Sequence, residues 1–109
     1  EVIVPAFEGE MGILKDHIPI ISFLKPGIIK VITGSEEHSF YVEDGIVEFK
    51  DNSLSILTSS IFNIKDADKR FISDSITEAE NELNKENLDD QKRFLLNHKV
   101  EVLKSISIN

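Results

Sequence analysis

The spacing of apolar residues changes once along this chain, close to residue 65. Before that point apolar and polar side chains alternate, and turn residues recur roughly every 8–12 positions, as in a β-sandwich or barrel. Beyond it, residues 74–109 contain neither glycine nor proline, and apolar residues recur at helical spacing. The sequence therefore predicts a mainly β protein with a helical end: an antiparallel β-sandwich over residues 1–66 and a two-helix antiparallel hairpin over residues 67–109.

Several dipeptides mark turns between the predicted strands. Asp44-Gly45 is the strongest hairpin signal, because a type I′ turn needs positive φ at both central residues, and Asp51-Asn52 supplies the next turn. Pro26-Gly27 suits a turn between two earlier strands. Residues 8–17 hold two glycines among acidic residues and predict a compact loop. The predicted strands are Val2–Val4, Ile20–Leu24, Ile28–Thr33, Ser39–Glu43, Ile46–Lys50 and Leu54–Thr58.

Two amphipathic helices are predicted in the second part of the chain, separated by a polar break at residues 84–90. A serine or aspartate at positions 73–75 can cap the first helix, and Asp89 or Asp90 can cap the second. The apolar stripe of the first helix comprises Ile76, Ala79 and Leu83. That of the second comprises Leu96, Val100 and Leu103, extended by Phe94, Leu95 and Ile106.

Charge and composition exclude several classes of function. The formal net charge is −8, and such a surface repels nucleic acid phosphates and anionic lipid headgroups, so we expect neither as a direct partner. The absence of cysteine excludes disulfides, thiolate metal sites and a cysteine nucleophile. No apolar run approaches the length that crosses a bilayer, so we expect no direct membrane insertion.

The acidic stretch near the start of the chain is the one candidate for chemistry. Glu8, Glu10 and His17 lie close together and could form an acid/base or metal site, or simply a solvated acidic loop. The three histidines lack zinc-ligand spacing, and neither a phosphate-binding glycine motif nor a serine nucleophile elbow is present. We therefore predict no catalytic, metal or cofactor-binding residues. A small enzyme built on these side chains and a β-sandwich ligand-binding module remain as alternatives.

The second predicted helix is locally basic within an acidic chain. Its cations can form a solvated face, or they can dock onto an acidic partner. They are Lys92, Arg93, Lys99 and Lys104.

Residues 8–28 carry a more specific pattern. Glu8-Gly9-Glu10-Met11-Gly12-Ile13 is followed by His17, Pro19-Ile20 and Lys25-Pro26-Gly27. Together these resemble the N-terminal signature of the epsilon subunit of the bacterial F-type ATP synthase, whose mitochondrial counterpart is called delta. Residues 40–49 and 52–57 are similar to the next hairpin and strand of that family, and the order of sandwich and helices agrees.

The resemblance implies a non-catalytic subunit of a proton-translocating complex, peripheral on the cytoplasmic face of the bacterial inner membrane. Such a subunit links gamma to the ring of c subunits in the central stalk, and its helices can inhibit ATP hydrolysis through the alpha and beta subunits. The resemblance implies c-ring contacts at Glu8, Glu10, Met11 and His17. It implies gamma contacts at Pro26, Gly27 and Ile28. The inhibitory helix would carry Lys92, Arg93 and Lys99.

Two departures from the family pattern also matter. Family members carry further strands before this start, so we expect N-terminal strands to be missing and the edge of Val2–Val4 to be unpaired. The ATP-binding motif of some members begins at a position matched by Asp68 but needs arginine where Phe71 stands. We therefore expect no nucleotide cofactor.

Overall fold

A computed structural model of the chain describes residues 1–7, 9–13 and 18–108, the side chains of residues 107 and 108 excepted. The chain divides into two compact units, Glu1–Lys65 and Asp66–Asn109. The first holds all the described strands, which are β1 (Val2–Ala6), β2 (Gly9–Ile13), β3 (Ile20–Leu24), β4 (Gly27–Thr33), β5 (Glu36–Val42), β6 (Gly45–Lys50), β7 (Ser53–Leu57) and β8 (Ile61–Asn63). The second holds two helices, α1 (Lys69–Leu83) and α2 (Asp90–Ile108).

The strands form one curled antiparallel sheet, in the order β7-β6-β3-β1-β4-β5-β8, with β2 paired to β1. The curl closes around an apolar core, because alternate residues on each strand point inward. The core residues are Val4, Ile13, Leu24, Ile29, Val42, Val47 and Phe49. The predicted β-sandwich followed by a helical hairpin is confirmed.

Among the described residues, strand β1 has paired strands on both of its sides. The prediction of an unpaired edge at Val2–Val4 is therefore wrong. Along one side β1 pairs with all of β2, with Val4 opposite Met11. Along the other side Ile3 lies opposite Lys30 of β4, and Ala6 lies opposite Leu24 of β3.

The chain does not reverse at Pro26-Gly27, in contrast to the predicted turn. Strands β3 and β4 are both antiparallel to β1, so they run in the same direction past Pro26. Proline has no N–H to donate and therefore suits this break in the ladder. A Cβ on Gly27 would lie 2.5 Å from Cβ of Pro5, so only glycine fits beside that ring.

The expected loop around Gly9-Glu10-Met11 is strand β2. It forms a hairpin with β1 in which Ala6 lies opposite Gly9. The side chain of Ile13 is buried, that of Met11 is half-buried, and Glu10 is exposed, which is the alternation of a strand. The glycines concealed this pattern, because glycine is depleted in strands.

Of the two predicted hairpin turns, the one at Asp51-Asn52 is present, and the one at Asp44-Gly45, which had the stronger sequence signal, is wrong. Asp51 and Asn52 both have positive φ, 53° and 57°, and they join the paired strands β6 and β7 as a type I′ turn does. At Asp44-Gly45 only Gly45 has positive φ. The flanking strands β5 and β6 are not neighbours in the sheet, so this dipeptide connects its two halves.

In the helical unit, α1 starts earlier than predicted and α2 starts where predicted. The N-cap of α1 is Asp68, whose carboxylate accepts a hydrogen bond from the N–H of Arg70 at 2.9 Å. The Asp89 carboxylate accepts from the N–H of Lys92 at 2.7 Å, which confirms the predicted cap of α2. Val100 and Leu103 are buried as predicted, whereas Phe94 is 53% exposed and does not extend their stripe.

Candidate contact surface

An exposed apolar strip crosses three neighbouring strands of the first unit. Phe23 of β3 lies opposite Ile46 of β6, and Ile46 lies opposite Leu57 of β7. Phe23 is 66% exposed and Leu57 is 74% exposed, while Ile46 between them is half-buried. Directly opposite residues of antiparallel strands have Cβ atoms about 5 Å apart, so the three side chains form a continuous row.

Two further apolar side chains enlarge this row. Ile21, two residues before Phe23 and on the same face of β3, is 70% exposed. Phe7 follows β1 and is also exposed, and its N–H donates to the carbonyl oxygen of Phe23 at 3.3 Å. We call this surface the apolar face, and it consists of Phe7, Ile21, Phe23, Ile46 and Leu57.

The apolar face changes to a polar one along the strands. Ile21 lies opposite Glu48, which lies opposite Ser55, and both polar side chains are exposed. Outward positions of an antiparallel sheet are normally polar, because one face packs on the core and the other meets water. A contiguous exposed apolar patch with a polar rim is typical of a protein–protein contact.

The predicted c-ring contacts are only partly within the described residues. Glu10 is exposed on β2, opposite Pro5. Met11 is half-buried and packs against the core cluster. Glu8 and His17 lie outside the described residues. Contact of these side chains with a partner stays a prediction.

The predicted gamma contacts lie at the break between β3 and β4. Pro26 and Gly27 are buried, and Ile28 is half-buried. Just before them the N–H of Lys25 donates to the carbonyl oxygen of Pro5 at 3.0 Å. Their contact with a partner stays a prediction, and the apolar face beside them is a surface that sequence reasoning missed. The sequence signal was available in Ile20-Ile21 and Phe23-Leu24. Successive residues of a strand point to opposite faces, so adjacent apolar residues make both faces of the strand apolar.

Two cations of α2 make contacts within the hairpin. Arg93 is half-buried and its Nη1 donates to the carbonyl oxygen of Leu83 at 3.1 Å. Nζ of Lys104 lies 3.5 Å from a carboxylate oxygen of Glu80. Lys92 is exposed and Lys99 is half-buried.

The structure gives separate roles to the residues that partly match the ATP-binding motif. The Asp68 carboxylate caps α1, and Phe71, which stands where the motif has arginine, is exposed. Within the described part of the chain, no three histidine, aspartate or glutamate side chains are grouped so that they could hold a metal ion. Over the same residues, neither helix has an apolar run long enough to cross a bilayer.

Comparison with known proteins identifies the family. Residues 1–64 match the family model of the ATP synthase delta/epsilon chain β-sandwich domain. The chain belongs to the ATP synthase delta/epsilon family. This membership confirms the sequence resemblance and makes the chain a non-catalytic subunit of that complex, as predicted.

Relatives of the delta/epsilon family extend the match beyond the sandwich. The ATP synthase epsilon chain of Pelagibacter ubique is 63% identical over 107 residues, which are 98% of this chain and 82% of that relative. The epsilon chain of Hyphomonas neptunium is 33% identical over 106 residues, covering 96% of this chain and 78% of the relative.

Solved structures share the fold. A chain of the Euglena gracilis mitochondrial ATP synthase in an OSCP/F1/c-ring structure matches with a TM-score of 0.70 at 21% identity, covering 98% of this chain and 67% of that one. A chain in the central stalk/c-ring structure of the Tetrahymena thermophila enzyme matches with a TM-score of 0.65 at 16% identity, covering 97% and 80%.

Proposed function

We propose that this chain connects the gamma subunit to the ring of c subunits in the central stalk of a proton-translocating F-type ATP synthase, at the cytoplasmic face of the bacterial inner membrane. The apolar face carries the proposal, because this delta/epsilon family chain exposes Phe23 and Leu57 on a sheet surface. Apolar side chains at a protein surface gain free energy when a partner removes them from water.

The apolar face is the proposed gamma-binding surface. It adjoins the predicted contacts at Pro26, Gly27 and Ile28, because Phe23 lies near the end of β3 and β4 begins at Gly27. Phe7, also part of the face, donates its N–H to the carbonyl oxygen of Phe23. Pro26 and Gly27 are both buried, and the ring of Pro26 fixes its own φ, so the backbone on that side of the face has little freedom to lose. A rigid surface loses little conformational entropy on binding, which favours a stable joint between two stalk subunits.

The polar contact with the c-ring is proposed for Glu10, with Glu8, Met11 and His17 as its neighbours in sequence. The carboxylate of Glu10 is exposed, so it can pair with basic or polar loop residues of a ring. The net charge of −8 favours such a partner over an acidic one.

Inhibition of ATP hydrolysis is proposed for α2, through Lys92, Arg93 and Lys99 against acidic surfaces of the alpha and beta subunits. Lys92 is exposed in the first turn of the helix and is available to such a partner. Arg93 is engaged with Leu83 in the closed hairpin and would have to leave that carbonyl to take part.

Co-purification of this chain with the gamma subunit of the same organism tests the proposal. The two subunits are expressed together with an affinity tag on gamma, and the stoichiometry of the recovered complex is measured. We expect one copy of this chain per gamma subunit. Recovery of gamma alone under these conditions would contradict the proposal.

A further inference from the structure

Arg93 joins the ends of the two helices of the hairpin. It is the fourth residue of α2, and its guanidinium donates a hydrogen bond to the carbonyl oxygen of Leu83, the last residue of α1. The contact spans the connection between Asn84 and Asp89 and is partly buried. The last carbonyls of a helix have no partner within the helix, so the side chain satisfies a group that α1 leaves open.

The charge of Arg93 is favourable at only one of these two helix ends. The N-terminal end of α2 carries a partial positive charge, and a cation in its first turns is unfavourable there. The C-terminal end of α1 carries a partial negative charge, and no basic residue of α1 lies in its own last turn. Arg93 supplies that missing cation from the neighbouring helix.

We propose that Arg93 is the latch of the closed hairpin. Its guanidinium holds the first turn of α2 against the last turn of α1, and the closed hairpin withholds that guanidinium from any acidic partner. By linkage, a partner that binds Arg93 shifts the hairpin equilibrium towards the open state by the same factor by which closure of the hairpin weakens binding of that partner. The latch concerns the helical unit by itself, so it can fail while the proposed stalk function holds.

Hydrogen exchange on the full-length chain tests the latch with a matched pair of variants. Arg93→Gln removes the guanidinium, and Lys92→Gln removes the same charge from the adjacent exposed position. We expect exchange of the amides around the buried Leu103 to be about tenfold faster in Arg93→Gln and less than twofold faster in Lys92→Gln, because local opening sets these rates. Amides of β6, in the other unit, serve as the internal reference.

Equal exchange in the two variants would overturn the proposal. Arg93→Lys keeps the charge but loses the planar fork of donors, so we expect an intermediate rate. If Arg93→Gln lost helix content by circular dichroism, the comparison of Arg93→Lys with Lys92→Gln would decide. A rate for Arg93→Lys no greater than that for Lys92→Gln would then overturn the proposal.

Discussion

The carboxylate of Asp44 accepts two hydrogen bonds from Ser59, one from its hydroxyl at 2.7 Å and one from its backbone N–H at 3.2 Å. The contact ties the connection between β5 and β6 to the connection between β7 and β8. A third hydrogen bond, from the N–H of Glu43 to the carbonyl oxygen of Ser60 at 3.1 Å, reinforces this contact. Two segments that cross between halves of the sheet are therefore fixed to each other.

Asp44→Ala should lower the free energy of unfolding by about 1–2 kcal/mol, because it removes two hydrogen bonds to a charged acceptor at an exposed site. Urea titration of the purified chain measures the change. Glu48→Ala is the matched control, since it removes an exposed acid from β6, and it should change the free energy by less than about 0.5 kcal/mol. Equal effects of the two variants would remove the role assigned to Asp44.

Gly45→Ala should be more damaging than Gly34→Ala, although both glycines have positive φ. A Cβ on Gly45 would run into the backbone carbonyl of Leu57, which cannot move without disturbing β7. At Gly34 the φ is 60° and the space is open, so the cost is only that of a left-handed alanine, about 1 kcal/mol. We expect about 3 kcal/mol for Gly45→Ala in the same titration. A smaller loss for Gly45→Ala than for Gly34→Ala would refute this packing.

Tyr41 should make the protein sensitive to alkali. Burial raises the pKa of its phenol well above the usual value near 10, and Glu43 and then Asp44 raise the pKa further. The hydroxyl has no hydrogen-bond partner among the described residues. The unfolded chain loses this proton at lower pH than the folded chain does. The free energy of unfolding is therefore unaffected by the ionisation of Tyr41 below about pH 10, and it falls as the pH rises further.

Tyr41→Phe isolates that effect. The difference in unfolding free energy between wild type and variant should be constant up to about pH 9 and should then change in favour of the variant, by up to about 1.4 kcal/mol per pH unit. Tyr41 is the only tyrosine of the chain, so phenolate absorbance reports its ionisation directly. A phenol that ionises near pH 10 in the folded protein would contradict the burial of its charge.

Removal of α2, as a truncation of Asp90–Asn109, should raise ATP hydrolysis by the reconstituted complex if this helix inhibits the enzyme. The triple replacement of Lys92, Arg93 and Lys99 by glutamine should raise it in the same direction. Replacement of Lys65 and Lys69 by glutamine, at exposed sites before and at the start of α1, is the charge control and should leave hydrolysis unchanged. An unchanged rate of ATP hydrolysis by the truncated complex would contradict the proposal that α2 inhibits the enzyme.

Local sequence patterns predicted the fold correctly where strands that are consecutive in the sequence are also neighbours in the sheet. Strands β6 and β7 alternate strictly, and Asp51-Asn52 joins neighbours in the sheet, so that hairpin could be predicted. Asp44-Gly45 has equally good turn residues, but a dipeptide does not specify which strands will pair. Strand β2 was missed because its stabilisation comes from pairing with β1, which outweighs the low strand propensity of glycine.

The contact surface was less predictable than the fold. Family resemblance predicted contacts at Glu10 and Pro26 by position, and these stay predictions, whereas the apolar face depends on the registers that align Phe23, Ile46 and Leu57. These residues lie far apart in sequence, and only the sheet order brings them into one row. Burial likewise could not be predicted, because the sequence around Pro26 and Gly27 does not indicate that both residues are buried in the folded chain.

The affinity of this chain for the gamma subunit tests the central proposal most directly. Phe23→Ser and Leu57→Ser, each made in the full-length chain, should weaken binding by at least about tenfold, because truncation of a well-packed apolar side chain at the centre of an interface costs about 1–2 kcal/mol or more. Phe94→Ser is the control, since it removes a similarly exposed aromatic side chain from the helical unit. Unchanged affinity in both sandwich variants, with their folds intact by circular dichroism, would contradict the assignment of the apolar face.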